Sequence, residues 1–128
     1  KIISVHSIRS SKAVLDHVEE FLPPRSGKVV LHWFTGTTNE AKRAIDLGCY
    51  FSINAEMMNN DRHKSMVQFI PLDRLLTETD GPFTRTGARP SKPSDVKGVV
   101  EGLSRVHRLP SNEVAEIVKA NLILLLSN

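Results

Sequence analysis

Three side chains able to bind metal recur in this sequence in phase with its apolar runs. His6 closes "KIISVH", His32 closes "KVVLH", and Asp80 follows "RLLTET". One strand-plus-helix period separates the two histidines, and two such periods separate His32 from Asp80. Imidazole and carboxylate without thiolate form the donor set of a hard or borderline divalent cation. Carboxylates are costly to bury unless paired, protonated or bound to a cation, so the acids of "TETDGPF" need either a partner or a turn that exposes them. Asp80 alone could simply cap the turn before Gly81 and Pro82, where Asp is common. Each histidine alone reads first as a packed or capped residue, and it is the shared phase of all three that points to a site. Glu78, two residues before Asp80, falls on the same strand face. An ion pair, or a hydrogen bond that orients a ligand, suits it better than direct coordination.

The elements that must position these groups alternate. Strands are predicted over Lys1–His6, Lys28–His32, Cys49–Ile53 and Arg74–Thr79. A helix follows the first, capped by Ser10 or Ser11, with Val14, Leu15, Val18, Phe21 and Leu22 on one face until Pro23 and Pro24 stop it. Thr37 and Glu40 form a capping-box pair for the next, and Gly48 is placed to end it. A shorter helix is expected near Lys64–Ile70. A long loop, "GPFTRTGARPSKP", leads to a helix bearing Val96, Val99, Val100, Leu103 and Val106, and then to a last one capped by Ser111. Strict alternation argues for an α/β fold of parallel strands with helices packed outside. Such folds build their sites at the carboxyl ends of the strands, where His6, His32 and Asp80 would converge.

With 128 residues, 40% of them hydrophobic, the chain can bury one core and is expected to be a single domain. A net charge of +3 leans toward anionic partners while remaining ordinary for a soluble protein. The one cysteine, Cys49, rules out an internal disulfide framework and Cys-rich zinc modules. No apolar run is long enough to span a bilayer, and a cytoplasmic protein with no membrane partner is expected. The start "KIISVH" has neither Met nor a signal-peptide pattern, so a fragment is expected.

The stretches "SVHSIRS", "VLHWFTGT", "YFSIN" and "LLTETDGPF", in this order, resemble the C-terminal half of the TatD-like metal-dependent deoxyribonucleases, members of the amidohydrolase-type TIM barrels. The resemblance implies the last four β/α units of a (β/α)8 barrel, spanning residues 1–128 with the N-terminal half absent. It implies that His6, His32 and Asp80 bind metal and that Asp80 is catalytic, helping to activate the attacking water. Divalent ions (Mg, Mn or Zn), two per intact site, and a DNA substrate follow from it. The family's remaining ligands, a His-x-His pair and a glutamate, would lie upstream of Lys1. There are departures. The usual "HSR" reads "HSIR", leaving Arg9 as the counterpart for substrate binding, and the usual "HCF" reads "HWF", placing Trp33 beside His32. These changes resemble the divergent TatD-like proteins carried in bacterial phage-defence gene clusters. As partners beside DNA, that implies the missing half of the barrel or other proteins of such a cluster.

Other residues admit two readings each. Gly36 could relieve a tight turn or let backbone N–H groups approach a phosphate. Arg85 and Arg89, on the long loop, could be solvated or could clasp a phosphate. His17, His63 and His107 read as surface residues, and Cys49, Met57, Met58 and Met66 as packing. The leading function is phosphodiester hydrolysis by metal-activated water. Hydrolysis of a small lactone, amide or deaminable base is the alternative, and a non-catalytic nucleic-acid-binding scaffold is the third.

Overall fold

Apolar runs rich in Val, Ile and Leu alternate with amphipathic ones, and each becomes the element its period demands. The computed structural model describes residues 1–23 and 27–127. Strands β1 (Ile2–His6), β2 (Lys28–His32), β3 (Tyr50–Ile53) and β4 (Leu75–Thr77) pair in that order, all parallel. Helices α1 (Ser11–Phe21), α2 (Thr38–Asp46) and α3 (Asp61–Phe69) connect them, and α4 (Val96–His107) and α5 (Ser111–Leu126) follow. Pro24, expected to help stop α1, lies outside the described residues. Among the described residues no helix is long and apolar enough to cross a membrane.

Alternate residues of a strand face opposite sides of the sheet. Val29, Leu31, Phe51, Ile53 and Leu75 face the helices and join Leu15, Ala41, Val67 and Leu103 in the main core. Phe34 meets Phe51 there edge-on, with ring centroids 5.4 Å apart. The other face carries Val30, Tyr50 and Leu76, which pack against Leu125 of α5. Lys28 holds the end of α5, its ammonium donating to the carbonyls of Leu124, Leu125 and Ser127 at 2.5, 3.1 and 3.0 Å. Those carbonyls lack intrahelical partners, and a cation there also opposes the helix dipole. β1 lies at the sheet edge, where Ile2 and Ile3 stay 44% and 43% exposed.

Several expectations are corrected. β4 ends at Thr77, not Thr79: the Glu78 N–H still donates to the Ile53 carbonyl at 2.9 Å, but β3 then stops and Asp80 turns left-handed at φ 51°. Register pairs His6 with His32, His32 with Ser52, and Ser52 with Leu76. Leu76, not Asp80, is therefore level with the histidines, and Asp80 reaches them from the following turn. Ser10 occupies the N-cap of α1 without a side-chain capping bond, because its ψ of 14° is not the extended geometry a cap requires. Pro110, not Ser111, takes the N-cap of α5. The Thr37–Glu40 capping box forms as expected. Within the long loop, β5 (Arg85–Thr86) and β6 (Arg89–Pro90) make a small hairpin turned at Gly87, whose φ is 61°. Cys49 is buried and its thiol is pushed up to about 11 by burial, which makes it a packing residue.

His107, read from sequence as a surface residue, is tucked against α3. Its ring lies beside the Val67 carbonyl, and among the described residues Nε2 is buried without a partner. Burial lowers its pKa below the ordinary 6.5, because the charged ring cannot be solvated there. The unfolded chain therefore takes up the proton first as pH falls. The stability this neutral ring contributes is present above 6.5 and is lost as pH drops through the lowered value. The urea midpoint should fall in that window, and His107→Gln should flatten the fall. A variant that keeps the wild-type pH profile would show that other groups set it.

Candidate functional site

Parallel pairing brings the last residues of β1 and β2 side by side, so His6 and His32 are register partners with ring centroids 5.5 Å apart. Glu78 fixes His32. Its Oε2 accepts from His32 Nδ1 at 2.6 Å and from the Ser52 hydroxyl, and its Oε1 accepts from Asn54 Nδ2 at 3.0 Å. Asn54 is itself fully buried, and its Oδ1 accepts the Met57 N–H at 3.3 Å. An ionised carboxylate can only accept, so it selects the tautomer with hydrogen on Nδ1.

Nε2 of His32 then faces Asp80 Oδ1 at 3.5 Å. A lone pair and a carboxylate oxygen at that separation repel unless a proton or cation lies between them. This pair, with His6 beside it, fits a borderline or hard divalent ion. Among the described residues no three His, Cys, Asp or Glu side chains are grouped so as to hold a metal ion, so a bound ion would need further donors.

Backbone strain marks the same end of the sheet. Arg9, Trp33 and Asp80, each just beyond a strand, have φ of 56°, 45° and 51°. Side chains other than Gly rarely adopt such angles, and they persist only where the surroundings enforce them. At Asp80 the enforcement is visible. Its carbonyl accepts from the Phe83 and Thr84 N–H groups at 2.9 and 3.2 Å, and the buried Thr84 hydroxyl bonds to the Thr79 carbonyl.

The remaining sequence candidates are dispersed. Arg9 and Gly36 line a groove of about 860 Å³ between the starts of α1 and α2, with Trp33, Arg62 and His63. A Cβ on Gly36 would sit 2.4 Å from the Phe34 ring, so glycine is required by this close approach. The helix start beside it is already occupied, because Glu40 Oε2 accepts the Thr37 N–H at 2.7 Å. Arg85 turns back onto the Ala88 carbonyl. Arg89 makes a two-pronged ion pair with Asp95, 2.7 Å at each contact, and its guanidinium holds the Asp95 carboxyl well below the usual carboxylate range. Ser52 and Asn54 were not singled out from sequence, yet both bind Glu78. The signal was available in "YFSIN", where they interrupt an apolar strand at alternate positions on one face.

Parallel strands in sequential order, connecting helices packed against the sheet and an imidazole–carboxylate cluster at the carboxyl ends define part of a TIM barrel of the metal-dependent hydrolase class. The crystal structure of YjjV, a TatD homologue from Escherichia coli K12, superposes with a TM-score of 0.85 at 25% identity, covering 97% of this chain and 49% of that one. Deoxyribonuclease Tat-D of Schizosaccharomyces pombe is 33% identical over 87 residues, 68% of this chain and 27% of that protein. The metal-dependent hydrolase YabD of Bacillus subtilis is 34% identical over 98 residues, 72% of this chain and 38% of that protein. The sequence profile of the TatD related DNases matches residues 1–127, and the chain belongs to that family. It spans half or less of the length of these relatives.

Proposed function

We propose that the protein is a deoxyribonuclease in which this chain supplies the second half of the barrel and part of a site for two divalent ions, Mg, Mn or Zn. The observation that carries this reading is His32, clamped by Glu78 on one ring nitrogen and facing Asp80 with the other. His6, His32 and Asp80 would hold the metal. When bound, a divalent ion polarises a phosphoryl oxygen and lowers the pKa of water. Asp80 would accept the proton released by the attacking water. Glu78 keeps the His32 lone pair directed at the site. The open edge at β1, with His6 on it, is where the other half of the barrel and its donors would join. The positive net charge and the deoxyribonuclease name of the Schizosaccharomyces pombe relative favour DNA over a small substrate.

The test compares hydrolysis of DNA, and of small lactones and amides, with added Mg²⁺, Mn²⁺ or Zn²⁺ and with a chelator. A protein containing both barrel halves should cut DNA only with metal, and the 128-residue chain alone should not cut. Metal-independent cleavage by this chain, or turnover of the small substrates without cleavage of DNA, would overturn the proposal.

A further inference from the structure

A separate cavity of about 280 Å³ opens where the short 3₁₀ turn Ala55–Met58 meets the first turn of α3 and one face of α4. None of His6, His32, Glu78 and Asp80 lines it, and it shares no residue with the groove at the starts of α1 and α2. Its charged lining residues are Lys64 and Arg105, and no carboxylate is among them. Neither cation makes a hydrogen bond or ion pair among the described residues, although Glu101 stands one helical turn before Arg105. Glu56, in the adjoining turn, accepts from the Asn59 amide at 3.0 Å instead. The Arg105 guanidinium folds back along α4, its Nη2 lying 3.9 Å from where a Gly102 Cβ would stand. Two glycines of α4, one turn apart, leave this wall bare. At Gly102 a Cβ would press to 2.4 Å from Met58, so packing requires glycine there. At Gly98 a Cβ would meet nothing within 4 Å. No neighbour excludes a side chain at that position, and the effect of its glycine is to keep the cavity open.

Two unpaired cations on one small cavity make it attractive to an anion. A carboxylate ligand would balance only one of them. A phosphate monoester carries about −1.5 to −2 charges at neutral pH, and its oxygens suit both a guanidinium fork and a compact ammonium. The volume falls at the lower end of small-molecule sites, which run from about 300 to 1,000 Å³, and so favours a small anion. We propose that this cavity binds a phosphate-type dianion, inorganic phosphate or the phosphate of a small monoester, between Lys64 and Arg105. The inference goes beyond the nuclease reading and does not depend on it.

The protein with both barrel halves, stripped of metal by a chelator, is titrated with inorganic phosphate and with methyl phosphate at constant ionic strength while amide ¹H–¹⁵N spectra are recorded. Saturable shifts should centre on Asn59, Lys64, Gly98 and Gly102. Lys64→Gln and Arg105→Gln, both at exposed positions where the fold does not need the charge, should each weaken binding roughly ten- to a hundredfold, the range for a hydrogen bond to a charged group. Sulfate, a dianion of the same shape, should compete. Acetate and dimethyl phosphate, each with a single negative charge, should compete roughly tenfold more weakly or less. Whichever of inorganic phosphate and methyl phosphate binds more tightly identifies the source of the anion, and either supports the site. Shifts that map elsewhere, binding unchanged by both substitutions, or acetate and dimethyl phosphate competing as well as sulfate would overturn the proposal. None of these results bears on metal-dependent cleavage, because His6, His32 and Asp80 lie outside this cavity.

Discussion

Asp80→Asn should lower metal-dependent DNA hydrolysis by the protein with both barrel halves roughly 10²- to 10⁴-fold, the range expected for loss of a positioned proton acceptor. The substitution is nearly isosteric, and asparagine tolerates the left-handed backbone at this position, so the turn that Asp80 makes to Phe83 and Thr84 should persist. What changes is charge and proton capacity. A neutral amide cannot take the proton of the attacking water or balance a divalent cation. Its NH₂ can also donate to His32 Nε2, now 3.5 Å from Oδ1, and so close the gap where an ion would sit. DNA affinity should change little, because Arg9 and Arg62, whose guanidinium groups make no hydrogen bond or ion pair among the described residues, line a neighbouring groove apart from Asp80. Single-turnover cleavage and equilibrium binding, each against a chelated control, separate the two effects. Wild-type cleavage by Asp80→Asn would remove Asp80 from the mechanism.

Such a prediction could be framed from sequence because strand ends are legible. An apolar run that stops at a histidine, repeated one period later, places both rings at the same edge of a parallel sheet, and register confirms the pairing of His6 with His32. The period-two rule likewise put Glu78 on the inward face, where it meets His32. Counting periods failed for Asp80, because β4 ends early and the carboxylate arrives through a left-handed turn that no hydrophobic pattern encodes. Arg89 shows a different limit. Its partner Asp95 lies within the same loop, and hydrogen-bond geometry rather than composition decides whether a guanidinium is free. His107 and Lys28 escaped for a tertiary reason: their partners, Val67 and the end of α5, are brought close only when helices pack.

Glu78 carries the other large expected effect, because three donors converge on one carboxylate. In Glu78→Gln one oxygen becomes NH₂. Set in place of Oε1, that group meets the Asn54 amide, which cannot flip without giving up the Met57 N–H. Set in place of Oε2, it meets the Ser52 hydroxyl and His32 Nδ1. Either way donors oppose each other, and a buried donor left unsatisfied costs about 1–3 kcal/mol. His32 can relieve the conflict by moving its hydrogen to Nε2, which removes the lone pair aimed toward Asp80. Loss of a carboxylate that orients a ligating histidine typically lowers metal affinity or activity about 10- to 100-fold. Metal titration of the protein with both barrel halves should show that loss, and ¹⁵N spectra should show the ring hydrogen leaving Nδ1. Because a merely structural Glu78 would shift the unfolding midpoint without changing the tautomer, an unchanged ring spectrum together with wild-type metal affinity would sink the orienting role.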